Sequence, residues 1–122
     1  MTDFTHVEDS GERRQWATGS QRDTRVGKGR FDLIPPIALR EIAVHFEHGS
    51  VKYGDRNWEK GQPLSAYIDS AMRHMCDLME GKCDENHAAA AAWNVMALIH
   101  TREMIRRGHL PQELDDMPPP LD

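Results

Sequence analysis

The sequence predicts an all-α protein. Three observations carry that prediction. Apolar residues recur at steps of three and four in three separate stretches. Proline or glycine bounds each stretch, and no stretch alternates apolar and polar residues as a half-buried strand does.

Residues 1 to about 30 are polar, Gly-rich and aperiodic, with Trp16 the one large apolar anchor after Phe4, and are expected to form an extended arm. Pro35 and Pro36 then suit a helix start, because proline is tolerated in a first turn and excluded from an interior. The first helix is expected from about Pro36 to His48, stopped by Gly49, with Ile37, Leu39, Ile42, Ala43 and Phe46 apolar and Glu41, His45 and His48 on another strip. The stretch SVKYGDRNWEKGQP carries turn residues at Gly54, Asp55 and Gly61 to Pro63 and is expected to be a structured loop. A second helix follows from about Leu64 to Glu80, its buried face expected at Ile68, Ala71, Met72, Met75 and Met79. Gly81 ends it, and Asp84 is the expected N-cap of a third helix that runs to about Arg107 and closes at Gly108. The remaining tail is Pro-rich and acidic, expected as a loose extension or a strap on a neighbouring subunit. This divides the chain into an arm (1–30), a helical catalytic domain (31–108) and a tail (109–122).

With 122 residues there is room for one modest core. The 39% apolar fraction lies below the roughly 45 to 50% of an average domain, so association of copies is expected. No apolar run reaches the roughly 18 to 20 residues of a membrane span and the first residues lack a signal pattern, which implies a cytoplasmic location. Cys76 and Cys83 have no CxxC spacing and are expected as free thiols. A net charge of −5 argues against a general nucleic-acid binder. The local excess of Arg13, Arg14, Arg22, Arg25, Lys28 and Arg30 over Glu12 and Asp23 instead suits a small anion such as a triphosphate.

Polar residues left after the core is assigned fall in two groups. Ser70, His74 and Asp77 share one face of the second helix, and His87, Ala91 and Asn94 share one face of the third. A short connection makes the two helices an antiparallel hairpin, on which those faces can meet. Imidazoles with carboxylates suit Mn or another transition ion, whereas carboxylates alone suit Mg. In the loop, Lys52, Tyr53, Arg56, Asn57 and Trp58 gather cations, an amide and rings, a set able to hold phosphate and stack a base, or to pin the loop into the core by its aromatics. GKGR at 27–30 lacks the spacing of a phosphate-binding P-loop.

The ordered runs SGERRQWATGSQRD, GKGRFDLIPPIALREIAVHFEHG, KYGDRNWEKGQPLSAYIDSAMRH and DENHAAAAAWN are similar to a phage family of dATP/dGTP diphosphohydrolases. The resemblance covers about residues 10 to 100. It implies a MazG-like helical scaffold that hydrolyses a purine dNTP to the monophosphate and pyrophosphate with a divalent metal, Mg or Mn. It also implies a dimer or tetramer, and kinship to MazZ enzymes, which supply dGMP in pathways that replace adenine in phage DNA. MazG-type enzymes bind Mg through ExxE and ExxD on successive helices. Those positions fall here on Ala71 and His74, and on Ala91 and Asn94, so none keeps a carboxylate. A rebuilt site is therefore expected: metal ligands among His74, Asp77, Asp84 and His87; Asn94 orienting water; Lys52, Arg56 and Arg73 on the phosphates, with Lys28 and Arg30 from the arm; and Glu47 as a reserve ligand or base. The rival expectation is a non-catalytic nucleotide-binding or interaction protein on the same scaffold, favoured by the lost carboxylates.

Overall fold

The computed structural model describes residues 9–121. Three helices dominate it: α1 (Pro36–Tyr53), α2 (Leu64–Met79) and α3 (His87–Arg106). The all-α expectation holds for this body. A small exception precedes it, because β1 (Arg13–Gln15) and β2 (Gln21–Asp23) pair antiparallel, Arg14 opposite Arg22. Strands of three residues carry too few side chains to show alternation, so their sequence could not announce them. The turn between them holds the pairing through the Gly19 amide to the Trp16 carbonyl (2.9 Å). Phe4, the other expected anchor of the arm, lies outside the described residues. The chain divides into two compact units, one ending at Ile34 and the other running from Pro35 onward.

Within the second unit α2 and α3 pack as the expected hairpin, and α1 packs on α3. The helix limits correct several expectations. α1 passes through Gly49 and stops only at Gly54, whose φ of 92° suits glycine and whose amide donates to the Ser50 carbonyl. Of two glycines able to end the helix, the chain uses the one that leaves the helical region. α3 is capped by Asn86, whose side chain accepts from the Ala89 amide at 3.0 Å. Asp84 is not the cap, because its carboxylate is turned to His87.

The core is built from Leu64, Tyr67, Ala97 and Ile105, with Trp58, Trp93 and Leu98 packed against it. It sits where α2 begins and α3 ends. Tyr67 and Thr101 are wholly buried, and the Thr101 hydroxyl donates to the Tyr67 oxygen at 3.2 Å. The expected buried face of α2 was drawn one strip too far round. Ala71 is buried, but Met72, Met75 and Met79 are exposed, Met79 by 78%. Leu64, Tyr67 and Ala71 take the inside instead, at steps of three and four. α3 turns a similarly unusual face inward, small or polar at His87, Ala90, Asn94, Ala97 and Thr101. Small side chains there let the helix backbones approach closely.

The tail is not loose but returns to the body of its own chain. Leu110, Leu114 and Met117 pack against the core. The backbone amide of Ser65 donates to Asp116 at 2.9 Å, and the Ser65 hydroxyl bonds the other oxygen of that carboxylate. Those bonds hold the Asp116 carboxyl below the usual carboxylate range. Gly61 makes room for the return, since a Cβ at its φ of 105° would stand 2.7 Å from Leu114 Cδ1. Cys76 and Cys83 are free and exposed. Among the described residues no helix is long and apolar enough to cross a membrane.

Candidate functional site

A cleft of about 900 Å³ lies between α1, the loop that follows it and the α2–α3 hairpin. Aromatic packing forms its floor. Trp58 meets Phe46, Trp93 and His100 edge-on, with ring centroids 6.1, 6.2 and 5.0 Å apart. Trp58 is half-buried in that cluster and packs against the core, as a loop-pinning aromatic does, and it also borders the cleft. Tyr53 differs. It is 62% exposed at the end of α1, beside the cleft, with the Lys52 ammonium 5.1 Å from its ring centre.

Cations line the same space. Lys52, Arg56 and Arg73 all border it, and so does Asn57. Arg56 holds a left-handed backbone conformation (φ 59°), which costs a non-glycine residue about 1 to 2 kcal/mol. Its guanidinium meets Glu59 at 2.9 Å, and Arg73 meets Asp69 at 3.2 Å, both pairs largely exposed. Exposed pairs of this kind are worth little and open readily to a stronger anion. Lys28 and Arg30 belong to the first unit and are paired there, Lys28 with Asp23 at 3.3 Å and Arg30 with both oxygens of Asp32 at 2.8 Å.

At the loop end of the hairpin, His74, Asp77 and His87 come together, one donor atom of each lying within 4.8 Å of the others. His74 also borders the cleft and so joins the two features. Local structure brings the group together. His74 and Asp77 lie one turn apart on α2, Gly81 (φ 80°) turns the chain, and the Asn86 cap starts α3 with His87 as its first residue. His87 is 2% exposed. Its Nε2 faces Asp84 Oδ1 at 2.8 Å, and its Nδ1 faces His74 Nδ1 at 3.0 Å and Asp77 Oδ2 at 3.8 Å. The hydrogen bond from His87 holds the Asp84 carboxyl below its ordinary value. Lys82 bonds the other oxygen of Asp77 at 3.1 Å.

The four residues expected as metal ligands are thus adjacent, but unequal. Asp84 touches the edge of His87 that points away from His74 and Asp77. Asn94 is buried and borders the cleft, with its amide donating to the Ala90 carbonyl of its own helix at 2.8 Å. Glu47 stands exposed on α1 and does not line the cleft. Glu85, not among the residues expected from sequence, lines the cleft and lies 3.7 Å from His74 Nδ1. Glu41, whose role is likewise not among those expected, accepts from the Asn86 side chain at 2.7 Å. A signal was present in the run DENH, four consecutive polar residues at a helix start, each of which makes a side-chain contact. His45, beside Trp93 and on the cleft wall, is held below the ordinary histidine range by burial.

Fold and site define a small helical protein in which a His–Asp cluster adjoins a cation-lined cleft. The family described as dATP/dGTP diphosphohydrolase, N-terminal, matches residues 18–108, and the chain belongs to that family. No curated protein and no solved structure gives a significant match.

Proposed function

We propose that the chain is a divalent-metal-dependent diphosphohydrolase that converts a purine dNTP, dGTP or dATP, to the monophosphate and pyrophosphate. The observation that carries this reading is the junction at His74, where a three-ligand cluster meets a cleft bordered by Lys52, Arg56 and Arg73 in a member of this family. The cleft is of the size that small-ligand sites occupy, roughly 300 to 1,000 Å³.

The residue types suit the group the reaction needs, since His74, His87 and Asp77 offer two imidazoles and a carboxylate to one ion. A divalent ion held there would neutralise phosphate charge and make a bound water more acidic. In the reaction a water oxygen bonds the α-phosphorus as the bond to the β-phosphate oxygen breaks, and the electron pair leaves with pyrophosphate. Lys52, Arg56 and Arg73 hold phosphate oxygens. Glu85, beside His74, is the carboxylate placed to take the water's proton. Tyr53 supplies an exposed face for the base. By kinship, the setting is the nucleotide pool of a phage-infected cell, in the cytoplasm.

The chain acts as an oligomer in this reading. The outer face of the hairpin, with Met72, Met75 and Val95 around Ala88, Ala91 and Ala92, is apolar. It offers both ridges and a groove, the self-complementarity a two-fold interface requires.

Incubation with each dNTP and NTP, with Mg, with Mn and with chelator, tests the proposal by chromatography of the products. Monophosphate and pyrophosphate from a purine dNTP, abolished by chelator, are expected. Nucleotide bound without turnover is the outcome of the second reading, a non-catalytic nucleotide-binding protein. The absence of a carboxylate at Ala71, His74, Ala91 and Asn94 favours that reading.

A further inference from the structure

We infer that His74, His87 and Asp77 form a resident site for one first-row transition ion, bound before any nucleotide arrives, with Asp84 as the carboxylate that orients His87. The inference deepens the proposed function by naming the metal class. It rests on the cluster rather than on turnover.

His87 provides the first argument. Its Nε2 lies 2.8 Å from Asp84 Oδ1, a contact that fixes the ring proton on Nε2 and leaves the Nδ1 lone pair directed toward His74 and Asp77. A carboxylate behind a ligating imidazole is the usual outer partner of a metal-binding histidine, setting its tautomer and strengthening it as a donor. Asp84 is therefore a positioning residue, not a ligand.

Distance provides the second. Two imidazole nitrogens each about 2.1 Å from one ion stand about 3.0 Å apart when they bind at a right angle, and about 3.4 Å apart in a tetrahedron. The observed Nδ1–Nδ1 separation is 3.0 Å. It suits an ion with five or six ligands, which leaves positions open for water and phosphate oxygens. Asp77 Oδ2, 3.8 Å from His87 Nδ1, lies inside the span of about 4.2 Å that two such bonds can cover. Its other oxygen is engaged by Lys82, leaving Oδ2 for the cluster.

Donor chemistry decides the metal class. Mg demands oxygen ligands and binds imidazole poorly, whereas Mn, Co and Zn accept mixed nitrogen and oxygen sets. The competing occupant of the space between the two imidazoles is a proton, donated from His74 Nδ1 to His87 Nδ1. No buried side-chain nitrogen or oxygen among the described residues lacks a hydrogen-bond partner, so the cluster is satisfied without an ion and only a binding measurement separates the two.

The test is equilibrium dialysis of the chelator-stripped, full-length chain against Mn, Co, Zn or Mg, without nucleotide, with metal content measured by elemental analysis. One equivalent of a transition ion is expected, with Mg washing out. His74→Ala should abolish retention, and Asp84→Asn should weaken it about 10- to 100-fold. Circular dichroism of each variant establishes that it is folded. A folded wild-type chain that retains no transition ion, or holds Mg equally well, overturns the inference, and unchanged affinity in Asp84→Asn overturns the role given to Asp84. An ion retained by a chain that hydrolyses no dNTP sinks the hydrolase reading and leaves this one standing. Hydrolysis with Mg alone, in a chain that holds no ion beforehand, does the reverse.

Discussion

The two faces of the α2–α3 hairpin make an instructive contrast. The inner face carries Tyr67, Ser70, His74, His87, Asn94 and Thr101, most of them polar and several buried. The outer face carries Met72, Met75, Leu78, Val95, Met96 and Ile99, all apolar and all substantially exposed. The same inner side also carries the apolar core of Leu64, Ala97 and Ile105, so its polar residues form a group set into an otherwise apolar buried face. In the proposed reading that polar group serves the site and its hydrogen bonds, while the exposed apolar residues outside lie apart from the core. Single exposed apolar residues are commonplace, but a contiguous patch marks an interaction surface.

Substitutions on each face sharpen or break this contrast. The largest effect belongs to Tyr67, where the inner face becomes core. Tyr67→Ala removes a fully buried ring and should cost about 3 to 5 kcal/mol in denaturant unfolding, as large aromatic deletions do. His74→Ala should leave the fold intact and lower kcat about 100- to 1,000-fold, the usual loss for a group that stabilises transition-state charge. Retained turnover in that variant would remove the inner face from the chemistry. Thr101→Val, which deletes one buried hydroxyl from the bond to Tyr67, should cost about 1 kcal/mol in the same unfolding assay.

On the outer face the stability effect should be smallest. Met75→Gln is expected to change monomer stability by no more than about 0.5 kcal/mol, yet to shift the oligomer toward monomer in sedimentation. A loss of monomer stability comparable to that of Tyr67→Ala would mean that the two faces do not differ in the way described.

One pH effect separates the tail from both faces. Because Asp116 in the folded chain lies below the ordinary aspartate value of 3.8, it binds a proton more readily when undocked. Its contribution is present above about pH 3.8 and is lost as pH falls through the folded value. Acid should therefore move the Ser65 amide resonance in an NMR titration, and Asp116→Asn should shift it already at neutral pH.

Much of the architecture was legible in the sequence because proline, glycine and helical periodicity are local signals. Pro36, Gly81 and Gly108 mark helix limits where those residue types predict. Three other features depend on contacts between distant residues. The methionines of α2 looked like core because they are apolar, but which strip of a helix is covered is decided by its neighbours. Whether Asp84 caps α3 or faces His87 is a choice between two good hydrogen bonds, which spacing alone leaves open. The tail looked detachable because of its prolines and acids, while the apolar residues that dock it, Leu110, Leu114 and Met117, are too sparse to show a period. For the site, the grouping of His74, Asp77 and His87 was visible as matching helix faces. Glu85 was hidden because it precedes the helix and so belongs to no face.

The bond between Ser65 and Asp116 has a consequence for the order of folding. Helix α2 begins after Pro63 with no capping side chain of its own, and the carboxylate that satisfies the amide of its second residue, Ser65, comes from 51 residues further along. Closing so long a loop costs entropy before the bond returns anything. The opening turn of α2 is therefore expected to consolidate late, after the hairpin has zipped. Loosening that clasp should quicken unfolding while leaving the rate of refolding nearly untouched.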